Sequence, residues 1–189
     1  MTQPADPEVA DSVRLAWPAE AVGIAELQRR SWATQWPNDL AERMLESVTT
    51  EEMTQAWHRA ITRPPGATSR VLVAVGGSGR VVGFATTTPS ADEDAEAGVH
   101  GEIDQFVIDP PAQRRGHGSR LLNACADTLR SDGFRQASWW VGSEDDVLRR
   151  FLIAAGWAPD GASREIGSED ESLRLKQVRL HTDLGAAGP

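Results

Sequence analysis

The sequence predicts a protein of the α/β class, and three observations support this prediction. Short apolar runs with strand-like alternation are interspersed with longer segments of helical periodicity. Proline- and glycine-rich breaks separate the two kinds of segment. The 189 residues, of which 40% are hydrophobic and 25% charged, suit one domain with an ordinary core. We therefore expect a single domain at residues 12–184, with flexible segments at residues 1–11 and 185–189.

The first third of the chain is predicted to be mainly helical. A short strand at residues 12–17 precedes Pro18, which a first helical turn tolerates, and a helix at residues 19–32. A second, amphipathic helix follows it. Thr49 and Glu52 have the spacing of a capping box and predict the start of a third helix.

A β-hairpin and a further strand are predicted in the middle of the chain. Runs of strand-like composition at residues 70–75 and 80–88 flank a Gly-Gly-Ser-Gly turn at residues 76–79. Residues 100–109 alternate like a strand, which a proline pair ends by removing amide donors.

The remaining elements continue the alternation of helices and strands. An amphipathic helix is expected at residues 115–130 and a strand at residues 137–141. Ser143 and Asp146 form a second capping-box pattern, and Gly156 can end the helix that follows it. Two more strands complete the chain, at residues 157–166 and 173–184.

Charge and cysteine content narrow the classes of function. A net charge of −9 disfavours binding to nucleic acid or to a membrane surface and favours cationic partners such as amines. No apolar run approaches the ~18 residues of a membrane span, and the first residues lack a targeting signal, so we expect a cytoplasmic location. Cys125, at helical spacing with leucines, is predicted to be a core residue. The acidic loop at residues 92–96 is interpreted as a solvated connection, with a functional acidic patch as the alternative.

The most informative motif is the glycine-rich loop at the start of the helix predicted at residues 115–130. It has the sequence Gln-Arg-Arg-Gly-His-Gly-Ser from Gln113 to Ser119. Its glycines let backbone amides approach an anion, and the helix dipole adds about 0.3 to 2 kcal/mol of favourable potential. It lacks the lysine of a Walker loop, and Leu121 occupies the third glycine position of a dinucleotide fingerprint. The loop therefore indicates a phosphate-bearing ligand, with an ordinary turn into a helix as the alternative.

Two further motifs give this loop a context. Residues 106–110, Phe-Val-Ile-Asp-Pro, precede it, and residues 151–157 begin with phenylalanine and end with Gly-Trp. Gln113, Gly116 and Gly118 match the pattern Gln/Arg-x-x-Gly-x-Gly/Ala. With these motifs, nearly the whole predicted domain resembles the GNAT superfamily of acyl-CoA-dependent N-acyltransferases. The resemblance implies a GNAT fold, with a mixed, mostly antiparallel sheet of six to seven strands, flanked by helices and splayed at its central strands.

The resemblance also implies acetyl-CoA as the acyl donor and no metal. In the family, loop amides hold the CoA pyrophosphate, and the preceding strand meets the pantetheine arm and the acetyl group by strand addition. The His117 side chain is expected to meet phosphate or solvent, and Asp145 stands where the family often has asparagine. The cofactor-binding residues implied are Phe106, Val107, Ile108, Gln113, Arg114, Arg115, Gly116, His117, Gly118, Ser119, Asp145 and Phe151.

The expected reaction is direct transfer of an acetyl group to an amine. A lysine-like amine has a pKa of about 10.4, so a carboxylate is needed to collect its proton. The resemblance implies Glu102, eleven residues before Gln113, as that general base, and Asp104 shares its face of the strand and competes for the role. Alternatively, both carboxylates are surface groups that attract a cationic substrate. A metal site formed with His100 is disfavoured, because alternate positions on one strand rarely surround a metal ion.

Departures from the family pattern leave a second function open. The chain has no tyrosine, and Leu152 stands where a motif tyrosine often protonates the departing CoA thiolate. A thiol with a pKa of about 8.5 is a tolerable leaving group, so loss of this acid slows the transfer without forbidding it. The alternative is a catalytically weak acyl-CoA-binding or interaction module.

Tryptophan residues suggest where the acceptor binds. Trp32 and Trp36 lie at i,i+4 spacing near the end of the first helix. The functional interpretation is an aromatic wall for an amine-bearing small molecule or peptide, and the structural one is core packing. We expect no nucleic acid or membrane partner. Members of the family often pair, so a homodimer is a further expectation.

Overall fold

A computed structural model of the protein describes residues 10–35, 38–77, 79–167 and 174–185. The predicted alternation of helices and strands is confirmed in these ranges. None of the helices described there combines the length and the apolar composition needed to cross a membrane. The elements are, in chain order, β1 (Ala10–Leu15), α1 (Ala21–Gln35), α2 (Asn38–Ser47), α3 (Thr50–Thr62), β2 (Arg70–Gly76), β3 (Val81–Pro89), β4 (His100–Ile108), α4 (His117–Ser131), β5 (Gln136–Gly142), α5 (Asp146–Ala154), β6 (Ala158–Gly167) and β7 (Arg174–Asp183).

The strands described form one mixed, seven-stranded sheet in the order β1-β2-β3-β4-β5-β7-β6. β4 and β5 pair in parallel, whereas β1 with β2, β5 with β7 and β6 with β7 pair antiparallel. The parallel register runs from His100 opposite Gln136 to Glu102 opposite Ser138, and β4 itself continues to Ile108. The predicted fold class, an α/β protein with such a sheet flanked by helices, is confirmed.

By its internal contacts the chain divides into two compact units. The first unit consists of residues 1–86 and 105–125, and the second of residues 87–104 and 126–189. β3 and β4 each contribute residues to both units. A single domain at residues 12–184 stays a prediction.

The core of the first unit forms where α1 and α3 meet β2 and β3. Ile24 and Leu27 on α1 are fully buried, as are Val73 on β2 and Phe84 on β3. The ring of Trp57, on α3, lies edge-on to that of Phe84 with the ring centroids 4.9 Å apart. Full burial of such a side chain contributes about 1.5–3 kcal/mol, so this cluster contributes several kcal/mol to the unit's stability.

Two local predictions for the first unit are confirmed. At the start of α3, the Thr49 hydroxyl accepts the Glu52 N–H at 3.1 Å, and the Glu52 carboxylate accepts the Thr49 N–H at 2.9 Å. This capping box satisfies two amides and contributes about 1 kcal/mol. In the β2–β3 turn, Gly79 has a φ of 75° and its N–H donates to the Gly76 carbonyl at 2.8 Å. Ser78 of this turn lies outside the described residues.

In the second unit, α5 ends as predicted but begins differently. The capping box predicted at Ser143 and Asp146 is wrong, because the Asp145 carboxylate accepts the Leu148 N–H at 2.9 Å and caps the helix itself. Gly156 has a φ of 90° and ends the helix, since glycine adopts this left-handed conformation at little cost.

The core of the second unit includes one very close backbone approach. A Cβ atom at Gly101 of β4 would lie 2.5 Å from Leu129 Cδ2 and 3.1 Å from Phe134 Cγ. Both of these side chains are buried. Trp139 and Trp157 are also buried, in an edge-to-face pair with ring centroids 6.3 Å apart. Glycine at residue 101 is therefore what lets α4 and the following turn pack tightly on β4.

Candidate functional site

A buried carboxylate holds the chain where β4 leads into the glycine-rich loop. The Asp109 side chain is only 2% exposed. Arg30 of α1 donates to it from Nη2 at 3.0 Å and from Nε at 3.3 Å, and Arg80 donates from Nη2 at 3.5 Å. Its own N–H donates to the Val82 carbonyl at 2.9 Å. Because a buried charge is stable only when it is paired, these contacts fix the position from which the loop departs.

The loop has an unusual backbone. Arg114 has a φ of 62° and Gly116 a φ of 84°, and Arg114 is the only non-glycine residue with a positive φ among those described. The left-handed conformation costs about 1–2 kcal/mol for a residue with a Cβ atom. Left-handed residues in such a turn direct successive amides towards one side, as in anion-binding nests. Strain of this kind is typical of functional loops.

Helix α4 begins at His117, within the loop motif. The amide of Arg120 donates to the Gly116 carbonyl at 3.2 Å, so the amides between these residues precede the regular helical hydrogen bonds. The helix dipole adds positive potential at this end. Among the loop residues whose amides are candidates for binding the anion, Gly118 is half-buried and His117 is buried. The others are exposed: Arg114, Arg115, Gly116 and Ser119.

His117 differs from the sequence-based expectation. Its side chain is buried, with the residue 1% exposed. The expectation that the ring meets solvent is therefore wrong, and its backbone amide is the group that remains a candidate for anion binding. Gln113, the first residue of the loop motif, is exposed, and its Nε2 donates to the Ile108 carbonyl at 3.3 Å.

The end of β4 supplies the candidate contacts for an extended ligand. Val107 is buried in the first unit's core, and Ile108 packs against the cluster that contains Val82 and Ala112. Phe106 is half-buried. Because the Val107 and Ile108 side chains pack within the unit, the backbone amides and carbonyls of this segment are the groups suited to strand addition.

The two candidate proton acceptors on β4 lie in different environments. Glu102 is 9% exposed, whereas Asp104 is exposed. Burial raises the pKa of the Glu102 carboxyl, and the negative charges of Asp92 and Asp104 raise it further. Arg164 and a hydrogen bond from the Ala91 amide oppose that rise. A buried carboxyl with a raised pKa is typical of a general base, so the structure favours Glu102 over Asp104.

The acidic loop between β3 and β4 is tied to the sheet. Arg179 of β7 binds Asp92 at 2.9 Å, Asp94 at 2.5 Å and Asp160 at 2.7 Å. The hydrogen bonds from Arg179 hold the pKa of Asp94 at about 2. The Trp140 Nε1 also donates to both carboxylate oxygens of Asp92 at 3.0 Å. The interpretation of this loop as a solvated connection is therefore wrong for Asp92, whose side chain is only 14% exposed, whereas Asp94 is bound by Arg179 but stays exposed.

The second unit contains a cavity beside these groups. Its volume is about 210 Å³. Ser138, which lies opposite Glu102 in the β4–β5 register, is part of its wall. Residues directly opposite each other on paired strands share a face of the sheet, so the cavity and Glu102 lie on the same face. The charged and titratable side chains of the wall are Asp94, His100, Asp160, Arg179 and His181.

The structure also describes most of the other predicted positions. The Asp145 carboxylate caps α5, Phe151 is half-buried on that helix and Leu152 is fully buried. Trp32 is partly buried and packs against the first unit's core, and Trp36 lies outside the described residues. In the part of the chain that the structure describes, no group of three or more His, Cys, Asp or Glu side chains is placed to hold a metal ion. The His100 Nδ1 instead accepts the Glu96 N–H at 3.0 Å.

Sequence reasoning missed the residues that support these sites. Arg30 lies 79 positions from Asp109, and Arg179 lies 87 positions from Asp92. Trp140 is 48 positions from Asp92. Spacing along the chain contains no signal for such pairs, because the sheet topology brings them together.

Residues 23–157 match the family model described as Acetyltransferase (GNAT) family. The chain is 26% identical over 169 residues to the uncharacterized N-acetyltransferase YuaI of Bacillus subtilis, a match that covers 89% of this chain and 91% of that protein.

Solved structures show the same fold. An N-acetyltransferase from Staphylococcus aureus superposes with a TM-score of 0.70 at 17% identity, covering 92% of this chain and 98% of the other. A phosphinothricin acetyltransferase from Sinorhizobium meliloti in complex with AcCoA superposes with a TM-score of 0.69 at 20% identity, covering 95% and 90%.

Proposed function

This chain belongs to the GNAT family of acetyltransferases, and from that premise we propose that it transfers an acetyl group directly to an amine, with Glu102 as the proton acceptor. The protein is an acyltransferase whose donor is acetyl-CoA. The observation that carries the proposal is the buried Glu102 carboxyl on β4, whose pKa is raised chiefly by burial. Such a group accepts a proton more readily than an ordinary glutamate does.

Donor binding is assigned to the first unit. The left-handed residues Arg114 and Gly116 and the start of α4 suit the diphosphate of CoA, because they offer several amides to one anion. The Asp109 carboxylate, held by Arg30 and Arg80, fixes the chain just before the loop begins at Gln113. Backbone groups of residues 106–108 orient the pantetheine arm and polarise the thioester carbonyl.

Acceptor chemistry is assigned to the second unit. Glu102 takes a proton from the substrate ammonium, and the neutral amine attacks the thioester carbon. The new C–N bond forms as the C–S bond breaks, and the sulfur leaves as a thiolate that takes up the second nitrogen proton, directly or through water. No side chain is assigned as the acid, because Leu152 occupies the tyrosine position and a thiol pKa of about 8.5 makes the thiolate a tolerable leaving group.

The cavity beside Ser138 is the proposed place for the amine. Asp94 and Asp160 contribute two carboxylates to its wall against the one guanidinium of Arg179, which favours a cation. Its volume of about 210 Å³ is below the roughly 300–1,000 Å³ of pockets for drug-sized ligands. A small amine or the amino end of a peptide is therefore the acceptor class proposed. A homodimer, expected from the resemblance to the family, and a cytoplasmic location, expected from the sequence, remain part of the proposal.

A weak acyl-CoA-binding or interaction module is the second candidate. Two observations favour it: Leu152 offers no acid, and the Asp145 carboxylate is occupied as a helix cap. Both candidates predict CoA binding, and only the enzyme predicts turnover.

A screen of acetyl-CoA consumption across small amines and peptides tests the proposal. We expect turnover that Glu102→Gln reduces at unchanged CoA affinity, because the amide cannot accept the proton. Asp104→Asn is the matched control and should have the smaller effect. Gly118→Trp should abolish CoA binding, since its ring covers the loop amides. Full rates in both carboxylate variants would remove the proton-acceptor assignment, and CoA binding without turnover of any amine would favour the module.

A further inference from the structure

A chain of hydrogen bonds links α3, α1 and β4 within the first unit. The Trp57 Nε1 of α3 donates to Gln28 Oε1 of α1 at 2.7 Å, and the Gln28 Nε2 donates to Gln105 Oε1 of β4 at 3.0 Å. Trp57 and Gln28 are buried, and Gln105 is half-buried. Because a buried polar group is costly to leave unpaired, these bonds hold the Gln105 side chain in one place.

The indole fixes the direction of these bonds. An indole N–H can only donate, whereas a carboxamide has an oxygen that accepts and an NH2 group that donates. The Gln28 oxygen is therefore the atom that meets Trp57, and the Gln28 NH2 group is left to meet Gln105. Since the Gln105 oxygen accepts from Gln28, the Gln105 NH2 group is the one that can bind a further partner. Within the residues that the structure describes, this NH2 group has no acceptor.

Gln105 stands at the start of the segment of β4 that is assigned to the pantetheine arm. Gln28 of α1 holds Gln105, immediately before residues 106–108. Arg30, two residues further along α1, holds Asp109, immediately after them, with Nη2 at 3.0 Å. These two contacts bracket the segment, so this part of α1 runs beside it and the Gln105 carboxamide is fixed at its first end.

We propose that the Gln105 NH2 group donates a hydrogen bond to a carbonyl oxygen of acetyl-CoA, and that Gln28 positions it for this bond. The inference rests on the proposed function for the path of the pantetheine arm along residues 106–108. A neutral carboxamide suits the neutral part of the ligand, where the thioester and the pantetheine amides offer carbonyl oxygens. If the partner is the thioester, the bond also stabilises the negative charge that develops on that oxygen when the amine attacks.

Calorimetric titration with CoA and with acetyl-CoA tests the hydrogen bond, because neither titration needs an acceptor. Gln105→Glu keeps an oxygen that accepts from Gln28 but has no N–H to donate to the ligand. Gln55→Glu is the matched control, since Gln55 is exposed on α3 of the same unit and the substitution adds the same charge.

We expect Gln105→Glu to bind acetyl-CoA about 3- to 10-fold more weakly than Gln55→Glu, which should bind it as the wild type does. A loss limited to acetyl-CoA identifies the thioester carbonyl as the partner, and an equal loss for CoA identifies a pantetheine carbonyl. The inference is overturned if Gln105→Glu binds acetyl-CoA as tightly as Gln55→Glu does.

A double-mutant cycle tests the positioning role of Gln28. Gln28→Met removes both of its hydrogen bonds at similar volume and leaves the Gln105 carboxamide free to turn, so acetyl-CoA should bind about 2- to 10-fold more weakly. In a Gln105→Met background the same substitution should have no effect on affinity, because no carboxamide is left to position. Equal losses in both backgrounds overturn the positioning role.

NMR follows the NH2 group itself. In protein labelled with nitrogen-15 at its glutamine side chains, the signal lost in Gln105→Met assigns the Gln105 NH2 group. We expect this signal to move when acetyl-CoA is added, and a signal that stays in place overturns the inference. Thermal unfolding checks the fold of each variant, and the half-buried Gln105 can be tested even where Gln28→Met does not fold.

The titrations separate failure of the proposed function from failure of the inference. If Gln105→Glu loses acetyl-CoA affinity while the wild type turns over no amine, the hydrogen bond to the donor stands and the proposed transfer fails. If Gln105→Glu keeps its affinity while Glu102→Gln loses turnover, the proposed function stands and the inference fails.

Discussion

Replacing Gly116 by alanine is the sharpest test of the anion loop. Gly116 has a φ of 84°, and a Cβ atom added there would meet nothing within 4 Å. The substitution therefore causes no steric clash, and its cost is the left-handed backbone alone, about 1–2 kcal/mol. The variant either bears this cost in the native loop or relaxes to a negative φ, which turns the loop amides away from the ligand.

The expected magnitude follows from this cost. A change of about 1.4 kcal/mol is tenfold in affinity, so the relaxed loop should bind CoA roughly 5- to 30-fold more weakly. Calorimetric titration with CoA, which needs no acceptor, measures the effect. If the loop keeps its shape instead, the same free energy appears as a lower Tm, by about 2–4 °C for each kcal/mol.

Gly133→Ala provides the matched control. Gly133 has a φ of 96° and equally open space around a Cβ atom, but it follows the C-terminal end of α4. Its backbone cost is the same, whereas the negative end of a helix dipole does not attract an anion. We expect a lower Tm with unchanged CoA affinity. Wild-type CoA affinity in Gly116→Ala at an unchanged Tm, or equal losses of affinity in both variants, would refute the role assigned to the loop.

Three further predictions concern stability and reactivity. The stabilising contribution of protonated Glu102 is present below its usual pKa of about 4.5 and is lost as pH rises through its raised pKa. We therefore expect Glu102→Gln to be more stable than wild type at pH 7 and the difference to vanish in acid. Urea denaturation at both pH values measures this difference. Gly101→Ala should lower the free energy of unfolding by about 1–3 kcal/mol, because its Cβ atom overlaps the buried Leu129. Gly23→Ala, in α1 with its nearest contact at 3.9 Å, should raise it by about 0.5–1 kcal/mol. Chemical denaturation of the two variants should therefore give changes of opposite sign. Burial raises the pKa of the Cys125 thiol to about 12, so a disulfide reagent at pH 8 should label it only on unfolding, and rapid native labelling would contradict its core position.

Local chemistry made much of this protein predictable. The capping box of Thr49 and Glu52 and the glycine that ends α5 act over a few residues, and each was predicted correctly. The start of α5 was not, because Ser143, Asp145 and Asp146 are all competent caps and the sequence does not rank them. The loop motif with its flanking residues was sufficient to identify the family.

Side-chain environments were beyond the reach of sequence patterns. Glu102 and Asp104 alternate on one strand and look equivalent in sequence, yet one is buried and the other exposed. The acidic loop looked solvated because its partner, Arg179, lies 87 residues away from Asp92. His117 sits within a glycine-rich loop motif but is buried.

The sequence by itself therefore determined the order of elements and the glycine loop at the start of α4, because periodicity, turn chemistry and capping depend on neighbours within about one helical turn. The acyl donor followed from the resemblance of these motifs to the family. Only the tertiary structure decided which carboxylate is buried, which arginines hold Asp109 and what anchors Asp92. These features depend on sheet register and strand order, which bring residues far apart in the chain into contact and set the local dielectric around each charge.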